Sequence, residues 1–265
     1  MAIEKETFVI GGHLKMRVAG SNVPFQKCGL VSTIQTTIET NSITLSDTTV
    51  PQGGEYDAVD RITSVGLAIN FREFFTPVLA GILWGDSTTV PSDTITDEQH
   101  IAAVDGTIAL DNMPLAIDTV TNVVNGEPGT DTFAEFDDWV MTGSGIEVVT
   151  GGALETAISS AADTYSVSVG YQSATVDVVE ALTNSGLELE LLFEGENAAG
   201  TKKRIEARFW KCRLNPASSQ DWINVDDFMG ADSTCKVIAD PTKLGAGKSK
   251  YFRVKKERSV SIPAE

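Results

Sequence analysis

The residues of this chain that could do chemistry are few, and their spacing argues against most of it. Gly245-Ala246-Gly247-Lys248-Ser249 resembles the end of a phosphate-binding loop, in which backbone amides and a lysine cradle a nucleotide. That motif needs its first glycine at position 242, where Thr242 stands, and Asp240-Pro241 occupies the place of the apolar strand that should lead in. The stretch therefore reads as a turn before the last strand. Asp137-Asp138 and Asp226-Asp227 are candidate catalytic or calcium-binding carboxylates, but adjacent residues on a strand point to opposite faces, so neither pair converges on a substrate unaided. His13 and His100 are the only imidazoles, and neither lies beside a cysteine or a second histidine. Nothing local builds a metal centre or a Ser-His-Asp nucleophile around them. Cys28, Cys212 and Cys235 are odd in number and widely spaced, which suits reduced thiols in a cytosol better than a disulfide framework. The expectation is a protein that is not an enzyme and takes no cofactor or metal.

The elements that must position any functional surface are mostly strands. Within residues 60–86, Val65, Leu67, Ile69 and Phe71 alternate with Gly66, Ala68 and Asn70, which predicts a strand with one apolar face and one small or polar face. Thr76 and Pro77 then signal a helix start, Val78, Leu79, Ile82 and Leu83 fall at helical spacing, and Gly85 is suited to closing the helix in the left-handed conformation. Upstream, residues 30–45 place Leu30, Ile34 and Ile38 against a wholly polar face of Thr33, Gln35, Thr37, Glu39 and Asn41. Turn formers and acids over 46–60 join these two runs into an extended hairpin with a projecting tip.

The remainder reads as a polar loop over 87–97, strands over 100–110 and 115–124, and a turn cluster over 125–132. A short hairpin follows over 136–149, then a small-residue, part-helical segment over 153–162 and an alternating strand over 164–171. Residues 187–194 and 205–209 make the clearest hairpin, acidic on the way out and basic on the way back, with cross-strand pairs contributing about 0.2–1 kcal/mol each. A loop over 215–232 precedes two last strands, over 235–239 and 251–260. The whole of 1–265 is expected as a single domain, with a larger insertion or loop region around 87–130.

Charge narrows the function classes. The net charge is −17, from 37 acidic and 20 basic residues, so nucleic acid is not held by simple attraction. The imbalance is uneven: 14 of the 20 basic residues fall after position 200, where 8 of the 37 acids lie. A basic end on one copy can meet an acidic surface on another, favouring head-to-tail association. No apolar run reaches the roughly 20 residues of a membrane span, and the first 20 residues lack the apolar core of a signal peptide. A soluble protein without membrane anchoring is expected.

The order of these features resembles the major tail (tail tube) proteins of long non-contractile-tailed bacteriophages. The matching residues are the polar-faced strand VSTIQTTIET, the acidic loop before VGLAINF and the short helix after it. FDDWVMTGSGIEVV, TYSVSVGY, LELELLFEGENAAGTKKRIEARFWKC and GAGKSKYFRV then follow in order. The resemblance implies a mainly β fold: a β-sandwich or partial barrel with one short flanking α-helix and a long projecting hairpin loop. It implies hexameric rings that stack into a hollow tube conducting DNA, and no C-terminal immunoglobulin-like domain. Gln35, Thr37, Glu39, Ala68 and Asn70 would face the lumen; Asp47, Gly53, Glu55 and Asp57 would form the inter-ring loop. Lys250, Arg253, Lys255 and Lys256 would form a basic strand contacting the next subunit. The implied partners are further copies of the chain, a tape measure protein, tail tip and tail terminator proteins, and double-stranded DNA in transit. The implied location is the virion tail tube, assembled in the host cytoplasm. The alternative is a β-sandwich binding module, a tail decoration or glycan-binding adhesin, which would cluster exposed aromatics; Trp84, Trp139, Trp210 and Trp222 are dispersed in sequence. A hydrolase on the same scaffold ranks last.

Overall fold

The structure, a computed structural model, describes residues 7–49, 51–162, 164–199 and 203–258. In chain order the first elements are β1 (Ile10–Val18), β2 (Gln26–Lys27), β3 (Val31–Ser46), β4 (Glu55–Phe71), α1 (Thr76–Ile82), β5 (Asp86–Val90) and β6 (Thr94–Ala102). Next come β7 (Thr107–Ala109), β8 (Pro114–Val124), β9 (Glu127–Thr132), β10 (Trp139–Met141), β11 (Gly145–Val148), α2 (Ala153–Ser160) and β12 (Tyr165–Ser173). The last are β13 (Val176–Glu180), β14 (Glu188–Asn197), β15 (Arg204–Leu214), β16 (Ser219–Gln220), β17 (Ala231–Val237) and β18 (Phe252–Lys256). The protein is mainly β; the described residues form two short helices and several antiparallel sheets, none of them closed into a barrel. The resemblance implies one flanking helix, which is α1; α2 lies in the part-helical segment read over 153–162.

The chain, expected as a single domain with a larger insertion or loop region around 87–130, divides into two compact units, Met1–Ser87 with Val179–Glu265, and Thr88–Val178. The physical reason is that each has its own core. In the first unit the large sheet runs β2-β1-β14-β15-β17-β4-β3, with β16 on β17 and β18 on β15. Leu14, Val65, Leu67, Ile69, Leu191, Phe209 and Cys235 meet at its centre. In the second, sheets β10-β11-β7 and β6-β12-β8-β9 enclose Trp139, Ile146, Leu154, Val167, Val169 and Tyr171. β5 and β13 pair as a separate ribbon.

The alternation in β4 is realised: Val65, Leu67, Ile69 and Phe71 are buried while Ala68 is exposed. α1 lays Val78 and Ile82 on this core, each such side chain contributing about 1.5–3 kcal/mol. Its ends differ from expectation. Thr76 is the first helical residue, and Phe75, extended at φ −69 and ψ 149, holds the cap position without a side-chain cap. At the other end Trp84, not Gly85, adopts the left-handed conformation, at φ 51. The Gly85 amide reaches the Ala80 carbonyl at 2.8 Å and the Trp84 indole N–H donates to the Leu214 carbonyl at 2.7 Å. This closing pattern normally favours glycine at the left-handed residue; here a side-chain anchor offsets the strain. Gly85 is needed because a Cβ there would press on the Glu180 carbonyl.

Three local expectations change. The strand expected over 100–110 is two strands, β6 and β7, separated by a turn in which Asp105 takes φ 57. The turn cluster over 125–132 contracts to Asn125-Gly126, at φ 53 and 85, so that β9 can pair with β8. β1, for which residue pattern offered no element, is a full strand of the large sheet: it pairs with β14 along its whole length.

Candidate assembly surface

β3 and β4 form a hairpin of 16 and 17 residues. Its register sets Gln35 opposite Ala68, Thr37 opposite Gly66, Glu39 opposite Ser64 and Thr33 opposite Asn70, so the five residues expected at a lumen share the face away from the core. β17 widens that face with Asp232 beside Asn70, Thr234 beside Ala68 and Lys236 beside Gly66. The surface is polar and locally bonded. Ser64 Oγ donates to Glu39 Oε2 at 2.6 Å, and Asn70 donates from Nδ2 to Asp232 Oδ1 at 2.6 Å while its Oδ1 accepts from Arg72 Nε at 2.9 Å. Gln35, Thr37, Glu39 and Ala68 are exposed; Asn70 is half-buried as the node of this network.

β3 is also the last strand of its sheet, so among the described residues its far edge has no strand partner along its length. Beyond Ile38 the hairpin is exposed on both faces. Ile43 faces Val59 across the strands, with Leu45 two residues on, so three exposed apolar side chains gather on one side. A long, unpaired, partly apolar edge is a template for association with another chain.

The tip is tighter than the 46–60 loop expected from sequence. β3 ends at Ser46 and β4 starts at Glu55, so Glu55 and Asp57 belong to β4. The Asp47 amide donates to the Gly54 carbonyl at 2.8 Å, and Gly53 and Gly54 take φ 66 and 148. The Thr49 hydroxyl and amide, donating at 2.5 and 2.8 Å, hold the Asp47 carboxyl below the ordinary aspartate range. Asp57 accepts from the Ala58 amide at 2.8 Å.

The basic strand is less free than its sequence suggests. Lys255 Nζ lies 2.8 Å from Glu206, Lys256 sits over the Phe8 ring at 5.0 Å, and Arg253 lies over the Trp210 ring at 5.2 Å. Lys250 is exposed. The acid-out, base-back pattern of β14 and β15 holds for Glu188 with Arg213 and Lys211, at 3.1 and 2.8 Å. It fails at Glu194, which faces Glu206 and is satisfied instead by Lys15 of β1 at 2.5 Å. The pattern also holds for Glu190 with Arg208 at 2.6 Å; what the sequence did not reveal is that Glu190 is buried and meets Arg17 of β1 at 2.6 Å, with both guanidinium groups over the Phe25 ring. The pairing of β1 with β14 brings Arg17 to this site.

The residues considered for chemistry are held in different surroundings. Asp138 is buried and accepts from the Ala134 and Ala153 amides at 2.8 and 2.6 Å, fixing the start of α2. Asp227 pairs with Arg72 at 3.3 Å. His13 is exposed opposite Glu194. His100 lies 2.6 Å from Glu98, which also accepts from the buried Tyr171 hydroxyl at 2.5 Å and the Asp111 amide at 2.8 Å. Burial pushes the Glu98 carboxyl up, but the bonds from Tyr171, Asp111 and His100 outweigh it and hold it below the ordinary range; burial and Glu98 push the Tyr171 phenol up. All three cysteines are free and buried. Burial pushes the Cys28 thiol up to about 12; a hydrogen bond with Cys235, then burial, pushes Cys212 upward. Among the described residues no group of three or more His, Cys, Asp or Glu is placed to hold a metal ion, and no helix is long and apolar enough to cross a membrane.

No curated protein matches the chain. Residues 7–255 match the model of a family described as "Protein of unknown function UCP028589". With most of its length covered by that match, the chain belongs to this family.

Proposed function

We propose that the protein is a structural subunit that self-assembles into stacked rings, hexameric by the resemblance, forming the hollow tail tube of a bacteriophage through which DNA is ejected. The observation that carries this reading is β3: a 16-residue strand at a sheet edge, exposed on both faces along its distal half. A lone subunit gains nothing from such an edge, whereas a ring closed by shared strands pairs it. The polar face of Gln35, Thr37, Glu39, Ala68 and Asn70 would line the lumen, where carboxylates repel phosphate and neutral polar groups offer no charge to hold it, so that DNA slides. Asp47, Gly53, Glu55 and Asp57 would meet the neighbouring ring, and tape measure, tail tip and terminator proteins would set where the tube starts and ends.

Electron microscopy of the purified protein at low and high salt, with and without a tail tip or tape measure protein, tests this. Hollow rings or tubes are the expected result; monomers persisting in every condition would overturn the reading. In assembled tubes Glu39→Cys should be shielded from a thiol reagent too bulky to enter the bore, and ready labelling would remove Glu39 from the lumen. One observation favours a binding module instead: Trp222 and Phe228 are exposed in a single loop. Glycan binding by persistent monomers would establish that alternative.

A further inference from the structure

The loop between β16 and β17 reverses the usual distribution of polar and apolar groups. Trp222, Ile223, Val225 and Phe228 are 75%, 89%, 92% and 84% exposed, while Asn224, Asp227 and the Phe228 carbonyl are engaged in local hydrogen bonds. The Asn224 side-chain oxygen accepts from the Asp226 and Asp227 amides at 3.1 and 3.0 Å, and Arg72 Nη1 donates to the Phe228 carbonyl at 2.8 Å and reaches Asp227 at 3.3 Å. The loop is thus folded as a knob with its apolar side chains held outward. Such a patch marks an interaction site. Among the described residues Asp221 and Asp226 make no ion pair, so the knob also presents two unneutralised carboxylates.

The first unit carries a pocket of opposite character, about 380 Å³, lined by Trp210, Phe252, Lys243, Lys248 and Arg253. Trp210 is held by its indole N–H, which donates to the Ser249 carbonyl at 3.1 Å, and by its amide, which donates to the Tyr251 carbonyl at 3.1 Å. Lys243, Arg208 and Arg253 stand 4.8, 5.2 and 5.2 Å from its ring. Lys243 has Asp240 at 3.8 Å; among the described residues Lys248 and Arg253 make no ion pair. An aromatic floor ringed by like charges is stabilised by a guest that is both apolar and acidic.

We propose that residues 221–228 of one copy seat in the Trp210 pocket of a second copy, with Trp222 or Phe228 on the indole and Phe252, and Asp221 and Asp226 beside Lys248 and Arg253. Two free carboxylates meet two free cations. The pocket volume admits an aromatic side chain. A lipid surface fits less well, because the same carboxylates would be driven off anionic headgroups. The choice of a second copy as partner rests on the self-assembly reading. The contact is heterologous, joining two different patches, so it propagates head to tail and closes only if the rotation permits.

Cysteine coupling tests the contact, since the three native thiols are buried. Val225→Cys protein is mixed with Lys248→Cys protein and oxidised. A disulfide-linked dimer forming faster in the mixture than in either protein alone is expected. Adding Asp221→Lys and Asp226→Lys should slow it by about tenfold, and a partner carrying Arg253→Glu should restore part of the rate. Equal or faster coupling of Val225→Cys to Ser32→Cys, in the apolar groove where β1 and β3 approach, would overturn the pocket assignment. Microscopy of the same samples separates the two readings. Tubes without Val225–Lys248 coupling overturn this contact alone; coupling without rings or tubes supports the contact and counts against the tube; neither overturns both.

Discussion

Glu190 is the side chain on which the first unit's outer charge pattern turns. Its carboxylate is buried, and Arg17 and Arg208 converge on it from neighbouring strands. Removing one partner of a buried ion cluster leaves the others uncompensated, so Glu190→Ala should cost about 3–5 kcal/mol, read as a lower denaturant midpoint. Glu98 plays the comparable part in the second unit, with a pH signature. Its carboxyl is held below its ordinary value of 4.5, so the stability it contributes is present above that pH and is lost as pH falls through the lower, folded value. Urea unfolding of the wild type should weaken between pH 5 and pH 3 more than that of Glu98→Gln, and at neutral pH the variant should be less stable by about 1–3 kcal/mol. The thiols offer a third check. With Cys28 pushed up to about 12 and all three cysteines buried, the native protein should not react with a thiol reagent at pH 8 and should titrate three thiols once unfolded.

At the scale of elements, the pairing of β1 with β14 admits a direct test. A Cβ on Gly12 would overlap the backbone of Glu194 and Gly195. Gly12→Ala should therefore spread the two strands, lowering the melting temperature and speeding exchange of the β1 amides, whereas Gly11→Ala, with open space at its Cβ, should be near neutral. The legibility of elements follows the same physics. β4 was legible because its buried face imposes a period of two, and β3, β8, β12 and the β14–β15 hairpin because alternating or strand-favouring residues are visible in the sequence itself. β1 was not, because Ile10-Gly11-Gly12-His13 exposes its first half and only Leu14 and Met16 reach the core. β9 was hidden because its residues, Glu127–Thr132, are those of a turn; cross-strand pairing with β8 makes them a strand. At α1, Gly85 was read as the left-handed residue because glycine enters that region without strain, but the indole bond to Leu214 moves the role to Trp84.

For the whole molecule, the lopsided charge is a statement about association. If acidic and basic surfaces of different copies meet, assembly should weaken as salt screens them, and sedimentation across 0.05–0.5 M salt should show the shift within the range where the Debye length drops below about 10 Å. Salt-independent assembly would place the driving force in apolar surfaces such as Ile43, Leu45 and Val59 instead.

The sequence by itself determined the mainly β character, the long hairpin and its polar face, because strand periodicity is local and survives in any alignment of charges around it. What only tertiary structure decided was everything that depends on residues far apart in the chain meeting. The division into two cores, the burial of Glu190 between Arg17 and Arg208, and the Glu98–Tyr171 bond all require strand order, which no local period encodes. The outward apolar knob at 222–228 belongs there too: its residue types promise burial, and only the fold, by anchoring its polar groups to Arg72 and Asn224, leaves them exposed for another surface to cover.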